Sequence, residues 1–135
     1  MSTKVFINLP VRDLKKSMTF FGALGFTFNP QFTDDNAACM VISEHNYAML
    51  LTHDYFKTFA TKPISDAHKA TEVLIALGLD SKAAVDVMVD KAMKAGGKEP
   101  KPMQDHGFMV VRTFEDLDGH TWEIMWMDPS GVPQG

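Results

Sequence analysis

The chain has 135 residues, which is enough for one compact domain with a real core but too few for two independent domains. Its formal net charge is −4, no cluster of basic residues stands out, and no apolar stretch is long enough to cross a membrane. This composition argues against a nucleic-acid or membrane partner. The amino-terminal residues lack signal-peptide features, and the single cysteine, Cys39, has no partner for an internal disulfide. We therefore expect a cytoplasmic protein with Cys39 in its core.

The first predicted elements form a strand, a helix and three further strands. Apolar side chains alternate along Val5–Val11, as in a strand with one buried face. Asp13 is placed to cap a helix with apolar residues at helical spacing, and Gly25 is placed to end it. The β-like runs that follow lie at residues 26–28, 37–42 and 47–52. This order predicts a βαβββ unit.

The second half of the chain repeats the pattern. A strand is predicted at residues 73–79, and Ser81 is placed to cap a helix that Gly96 ends. Strands are then predicted at residues 108–114 and at Thr121–Met127, on either side of a turn. The chain therefore reads as two copies of one supersecondary unit.

These copies predict an α+β fold in which two βαβββ modules form curled mixed sheets around a groove. We predict a single domain over residues 1–135, with module one at 4–53 and module two at 72–128. The polar segment between them, residues 54–71, is predicted to be a linker that begins with a short helix.

Three motifs carry a resemblance to a known superfamily. They are LPVRDL at residues 9–14, FFGALGF at residues 20–26 and FEDLDGHTWE at residues 114–123. With the repeated pattern, they resemble the vicinal oxygen chelate superfamily, which includes glyoxalase I, extradiol dioxygenases, fosfomycin-resistance enzymes and bleomycin-resistance proteins. The resemblance covers nearly the whole chain and implies the glyoxalase/bleomycin-resistance fold and a homodimer. It does not specify the reaction, because this scaffold supports many activities.

The resemblance also indicates where metal ligands would lie. Metal-dependent members place one ligand on the first and last strand of each module, drawn from His, Gln and Glu. Carried over to this chain, the four positions fall on Phe6, on Leu50 or Ala48, on Leu74 and on Glu123. A divalent ion needs about three or four N, O or S donors. Only Glu123 is such a donor, so we expect no cofactor; a divalent metal is disfavoured and is kept as the alternative.

Strand alternation places Glu123 on the side that faces the groove. Trp122, Ile124 and Trp126 form an apolar face suited to packing on a helix, so Glu123 and Met125 point the other way. The same argument assigns further side chains to the groove: Phe6, Asn8, Ala48, Leu50, Thr52, Leu74 and Ala76. The expected site is mostly apolar, with Glu123, Asn8 and Thr52 as its polar groups, which suits an amphipathic organic ligand.

Three charged or titratable side chains each have more than one interpretation. Glu123 is either a general base or ligand anchor, or a carboxylate that has lost its function and only bonds a neighbouring Arg or hydroxyl group. Arg112 lies on an apolar strand face, where an Arg pairs with an acid, for which Glu123 is the candidate, or contacts a ligand; the third reading is plain exposure to solvent. His106 lies in the loop before that strand and either reaches the mouth of the groove or sits exposed in a turn.

The leading hypothesis is a glyoxalase/bleomycin-resistance-like protein that binds a small organic molecule without metal. Its activity would be sequestration or a light chemical step such as enolisation, with Glu123 as base or anchor. One alternative is a metal-dependent enzyme, similar to a lactoylglutathione lyase or an extradiol dioxygenase. The other alternative is a non-catalytic interaction module whose groove is filled by its own side chains.

Overall fold

A computed structural model describes residues 3–131 of the chain. The chain forms two compact units, divided between Asp66 and Ala67, so that the boundary falls inside the predicted linker. No helix within residues 3–131 has both the length and the apolar character needed to cross a membrane.

The first unit contains one four-stranded mixed sheet and two α-helices. Its elements are β1 (Val5–Val11), α1 (Leu14–Ala23), β2 (Thr27–Phe28), β3 (Ala37–Ser43), β4 (Asn46–Thr52) and α2 (His53–Lys57), with a short 3-10 helix at Pro30–Phe32. The strand order is β1-β4-β3-β2. β1 runs parallel to β4, and the other neighbours are antiparallel.

The second unit repeats this topology. Its elements are β5 (Leu74–Gly78), α3 (Lys82–Lys94), β6 (Gln104–Asp105), β7 (Met109–Glu115) and β8 (Thr121–Met127), with a 3-10 helix at Pro129–Gly131. The strand order is β5-β8-β7-β6. The predicted α+β class with two βαβββ units is confirmed. Among the strands of residues 3–131, only β6 was missed, because two polar residues show no periodicity.

Capping side chains and glycines set the ends of the long helices as predicted. The carboxylate of Asp13 and the hydroxyl of Ser81 each accept a hydrogen bond from the backbone N–H three residues further on, at 3.1 and 3.0 Å. Gly25 and Gly96 follow the helices with φ of 105° and 107°, a conformation that other residues rarely adopt.

The core of the second unit lies between α3 and one face of its sheet. Phe114 and Trp122 are fully buried there and stack with their ring planes 5° apart and centroids 6.1 Å apart. Val85 and Val89 of α3 are fully buried as well. The alternation that predicted an apolar helix-packing face on the last strand is thus followed in the structure.

One buried carboxylate organises the turn between β7 and β8. Asp116 Oδ1 accepts hydrogen bonds from the backbone N–H groups of Asp118 and His120, at 2.9 and 3.0 Å, and its Oδ2 accepts one from Trp122 Nε1 at 3.0 Å. Burial raises the pKa of Asp116, while the charge of His120 and the hydrogen bond from Trp122 oppose the rise. The turn is therefore held by a carboxylate that is costly to desolvate.

We expect Asp116→Asn to change how stability depends on pH. Because the pKa of Asp116 is raised in the folded chain from its usual 3.8, the folded state keeps a proton that the unfolded state releases. The wild type should therefore lose stability relative to the variant as the pH rises from 3.8 through the raised pKa. The slope is at most about 1.4 kcal/mol per pH unit. Urea unfolding of both proteins across this range measures the slope. A wild type that gains stability relative to the variant as the pH rises would contradict the assignment.

Candidate functional site

The face of the second sheet that points away from α3 carries Glu123. Residues paired across neighbouring strands point to the same side of a sheet. The register pairs Glu123 with Thr113 of β7 and with Ala76 of β5, so these three side chains share a face. Arg112 pairs with Ile124 and therefore points to the opposite face.

A pocket of about 330 Å³ opens over this face within the second unit. It is lined by two segments outside the strands and by residues of β5, β7 and β8: Ala67, His68, Lys69, Ala70, Thr71, Leu74, Pro100, Lys101, Thr113, Glu115, Thr121 and Glu123. Most of these side chains are polar or charged. Strand alternation predicted the apolar neighbours of Glu123 but not these polar ones, because the wall segments come from polar stretches that strand alternation does not describe.

Two neighbours hold the carboxylate of Glu123. The Thr113 hydroxyl donates a hydrogen bond to Oε2 at 2.7 Å, and Lys101 Nζ lies 3.6 Å from Oε1. The side chain of Glu123 is only 15% exposed, whereas that of Lys101 is 45% exposed. The carboxylate thus sits low in the pocket in a set orientation, with the more exposed ammonium beside it. This ion pair adds only about 0–1 kcal/mol to stability, because water screens Lys101.

Arg112 does not pair with Glu123, and that expectation was wrong. Its Nε and Nη2 each bond one oxygen of Glu99 at 3.0 Å, and its Nη1 bonds Asp86 at 2.9 Å and Asp90 at 3.0 Å. The hydrogen bonds to Glu99 are the largest cause of its raised pKa, and burial opposes them. The physical reason is parity, since Arg112 lies on the helix-covered face, within reach of α3. That Arg112 contacts a ligand stays a prediction.

The segment of residues 98–101 runs along the edge of β7 and contacts both faces of the sheet. Lys98 exchanges backbone hydrogen bonds with Glu115, at 3.1 and 2.7 Å. Glu99 then binds Arg112 on the helix side, and Lys101 reaches Glu123 on the open side. Lys101 was missed from the sequence because it lies between two prolines in a loop without periodicity. Its position is set by the backbone pairing and by the Glu99 contact.

Residues 67–71, which belong to the predicted linker, form a wall of the pocket. They pack against the turn at Asp118-Gly119 so closely that a Cβ on Gly119 would lie 2.8 Å from the backbone nitrogen of His68. Gly119 also has a φ of +84°. The turn therefore requires glycine for two independent reasons, and the wall depends on it.

The register of the first sheet corrects two predicted site residues. Asn8 pairs with Met49 in the same way that Ala76 pairs with Glu123, so the counterpart of Glu123 in the first unit is Met49. Leu50 points to the opposite, helix-covered face and is fully buried. Leu50 and its alternative Ala48 were therefore wrong as site positions. The run of residues 47–52 is apolar on both faces, so its alternation could not set the phase.

Thr52 was also assigned to the wrong role. It shares the parity of Leu50, and its hydroxyl accepts a hydrogen bond from the backbone N–H of Tyr55 at 3.3 Å, which caps α2. Phe6 and Asn8 do lie on the open face of the first sheet. Phe6 is 49% exposed and stacks on Tyr47 with ring centroids 4.9 Å apart. Ligand contacts for both residues stay predictions.

The remaining predicted residues lie in the second unit. Leu74 lines the pocket and is 56% exposed, and Met125 follows Glu123 on the same face of β8. His106 is exposed in the turn between β6 and β7, where its backbone N–H donates to Met109 at 2.8 Å. His106 is not among the residues that line the pocket. Its contact with a ligand, like that of Met125, stays a prediction.

Comparisons with known proteins identify the superfamily. Residues 3–43 match a family model described as bleomycin resistance protein-like N-terminal. The structure of hypothetical protein SA1046 from S. aureus is 30% identical, with a TM-score of 0.78 over 93% of this chain and 95% of that chain. A glyoxalase-related enzyme from Fulvimarina pelagi has a TM-score of 0.79 at 18% identity, covering 100% of this chain and 94% of its own. The chain belongs to the vicinal oxygen chelate superfamily.

Further similarity supports the same fold. A glyoxalase/bleomycin resistance protein/dioxygenase family enzyme from Burkholderia phytofirmans PsJN has a TM-score of 0.76 at 16% identity, covering 93% of this chain and 99% of that chain. No protein with a curated description matches the chain significantly. The glyoxalase/bleomycin-resistance fold expected from the three motifs is confirmed.

The metal site of the vicinal oxygen chelate enzymes does not fit the residues of this chain. With the corrected register, the four ligand positions carry Phe6, Met49, Leu74 and Glu123. One carboxylate and one thioether do not supply the three or four donors that a divalent ion needs. Within residues 3–131, no group of three or more His, Cys, Asp or Glu side chains is arranged to hold an ion.

Proposed function

We propose that this member of the vicinal oxygen chelate superfamily binds a small polar organic molecule in the pocket over its second sheet, with Glu123 as the anchor. The observation that carries the proposal is the setting of the Glu123 carboxylate. It lies low in a pocket, with one oxygen bonded to Thr113 and the other beside Lys101. Convergent polar groups in a pocket are typical of small-molecule sites. A ligand N–H or O–H would bind the carboxylate directly.

The same groups suit a proton transfer next to a carbonyl. Glu123 would accept a proton from the carbon beside the carbonyl, and the Lys101 ammonium would stabilise the negative charge that develops on the carbonyl oxygen. For a β,γ-unsaturated carbonyl compound, return of the proton to the γ-carbon of the resulting dienolate would complete an isomerisation without a redox partner. Ligand binding and this proton transfer would therefore depend on the same arrangement of Glu123 and Lys101.

Glu123→Gln tests the anchoring role. We expect small polar compounds that raise the melting temperature of the wild type to bind the variant at least about tenfold more weakly, because Gln removes the charge while keeping the size. Glu44→Gln is the matched control, since Glu44 lies in the first unit with its side chain 87% exposed. Equal affinities of wild type and Glu123→Gln for every compound that binds would remove Glu123 from the proposal.

Elemental analysis tests whether binding is independent of metal. Protein purified without chelator should contain far less than one Ni, Zn, Fe or Mn per chain, because the donor set does not fit these ions. About one ion per chain would overturn the metal-free proposal and favour the metal-dependent lyase or dioxygenase alternative.

A further inference from the structure

We infer that the ligand of this pocket is a zwitterion of amino-acid size, with an ammonium that binds Glu115 and a carboxylate that binds Lys69. The inference rests on the proposed function of the pocket and specifies its ligand class. The four charged groups of fixed sign on the wall are two carboxylates, Glu115 and Glu123, and two ammonium groups, Lys69 and Lys101. Their formal charges cancel.

These four groups fall into a paired set and an unpaired set. Lys101 lies 3.6 Å from Glu123, so these two already neutralise each other. Within residues 3–131, the side chains of Glu115 and Lys69 have no hydrogen-bond or ion-pair partner, although both line the pocket. The pocket therefore presents one uncompensated carboxylate and one uncompensated ammonium.

The strand register places Glu115 well for a ligand. Glu115 pairs with Thr121, and Thr113 pairs with Glu123, so all four side chains point to the same face. The hydroxyl of Thr121 thus stands beside the Glu115 carboxylate, has no hydrogen-bond partner within residues 3–131, and can accept a hydrogen bond from a bound ammonium. Lys69 approaches from the wall at residues 67–71.

Charge balance selects the ligand class. A cation would satisfy Glu115 but would be repelled by Lys69, and an anion would meet the reverse problem. A zwitterion pairs with both groups, and its ammonium can donate a further hydrogen bond to Glu123, which lies on the same face as Glu115 and stays beside Lys101. The volume of about 330 Å³ is near the lower end for ligand pockets, and Leu74, Ala70 and Pro100 provide an apolar wall for a short aliphatic side chain.

The test uses three probes with one carbon skeleton. Leucine carries both charges, leucinamide keeps only the ammonium, and 4-methylpentanoate keeps only the carboxylate. Titrations followed by backbone amide NMR shifts of the second unit give the three affinities. We expect leucine to bind at least about tenfold more tightly than either analogue.

Two variants assign the charges. Glu115→Gln should erase the preference for leucine over 4-methylpentanoate, and Lys69→Gln should erase the preference for leucine over leucinamide. Glu44→Gln and Lys57→Gln, which are exposed positions of the first unit, should change neither preference.

The outcomes separate this inference from the proposed function. If either analogue binds as tightly as leucine, or if none of the three binds while other compounds shift the same amides, the zwitterion is wrong and the pocket remains a ligand site. If no compound perturbs the residues of the pocket, both the inference and the proposed function fail.

Discussion

Replacing Arg112 with methionine is expected to lower the free energy of unfolding by about 2–4 kcal/mol. The guanidinium makes four hydrogen bonds to three carboxylates, and its side chain is only 12% exposed. Without it, Asp86, Asp90 and Glu99 face one another with no counter-charge. We place the loss below that of a fully buried pair, because the side chains of Asp86 and Asp90 are 56% and 63% exposed and water screens them.

The control for this prediction is a double substitution whose effect on the free energy of unfolding should have opposite signs in the wild type and in Arg112→Met. Substituting Asp86 and Asp90 together by asparagine should destabilise the wild type, since it removes two charge-assisted bonds to Arg112. The same substitution should stabilise Arg112→Met, because it relieves repulsion between like charges one helical turn apart. Urea unfolding of the four proteins measures the coupling. Equal losses in both backgrounds would show that Arg112 does not act through these carboxylates.

The Arg112 contacts also matter for the site, although they lie on the other face of the sheet. Glu99 is two residues before Lys101, so its bidentate bond to Arg112 restrains the segment that brings the ammonium to Glu123. Loss of Arg112 should therefore loosen the mouth of the pocket as well as the core.

Gly119→Ala is expected to cost about 2–4 kcal/mol and to displace the pocket wall at residues 67–71. The added Cβ would lie 2.7 Å from Nδ1 of His68, 2.8 Å from its backbone nitrogen and 2.9 Å from the carbonyl carbon of Ala67. Two of these three atoms belong to the backbone, so the segment itself must move. The φ of +84° adds strain of about 1–2 kcal/mol for any residue with a side chain.

Alanine substitutions at two other glycines separate the cost of backbone strain from the cost of the steric collision. Gly25 has a φ of +105° and open space around its Cβ position, so Gly25→Ala should cost only the strain, about 1–2 kcal/mol. Gly22 lies within α1 with open space and no positive φ, so Gly22→Ala should stabilise by about 0.5–1 kcal/mol. Urea unfolding ranks the three variants by their free energy of unfolding, and amide NMR shifts at residues 67–71 show whether the pocket wall has moved. A Gly119→Ala cost no larger than that of Gly25→Ala would mean that the segment does not pack on the turn.

Local signals in the sequence were sufficient for the long helices, for all strands but β6, and for the fold. Asp13, Ser81, Gly25 and Gly96 act on their own backbone, so their roles follow from residue type and position alone. The alternation in Thr121–Met127 has one apolar and one mixed face, and it therefore oriented Glu123 correctly. Repetition of these signals predicted two βαβββ units.

The partners of Glu123 and the membership of the site were decided by tertiary structure. The run at residues 47–52 is apolar on both faces, so only its pairing with β1 revealed that Met49, rather than Leu50, matches Glu123. The partners of Arg112 lie 13 to 26 residues away in the chain, and Glu123 lies 22 residues from Lys101. Such contacts depend on how strands and loops pack, and no local periodicity encodes them. The sequence alone thus determined where the Glu123 carboxylate points, whereas packing determined which charges surround it.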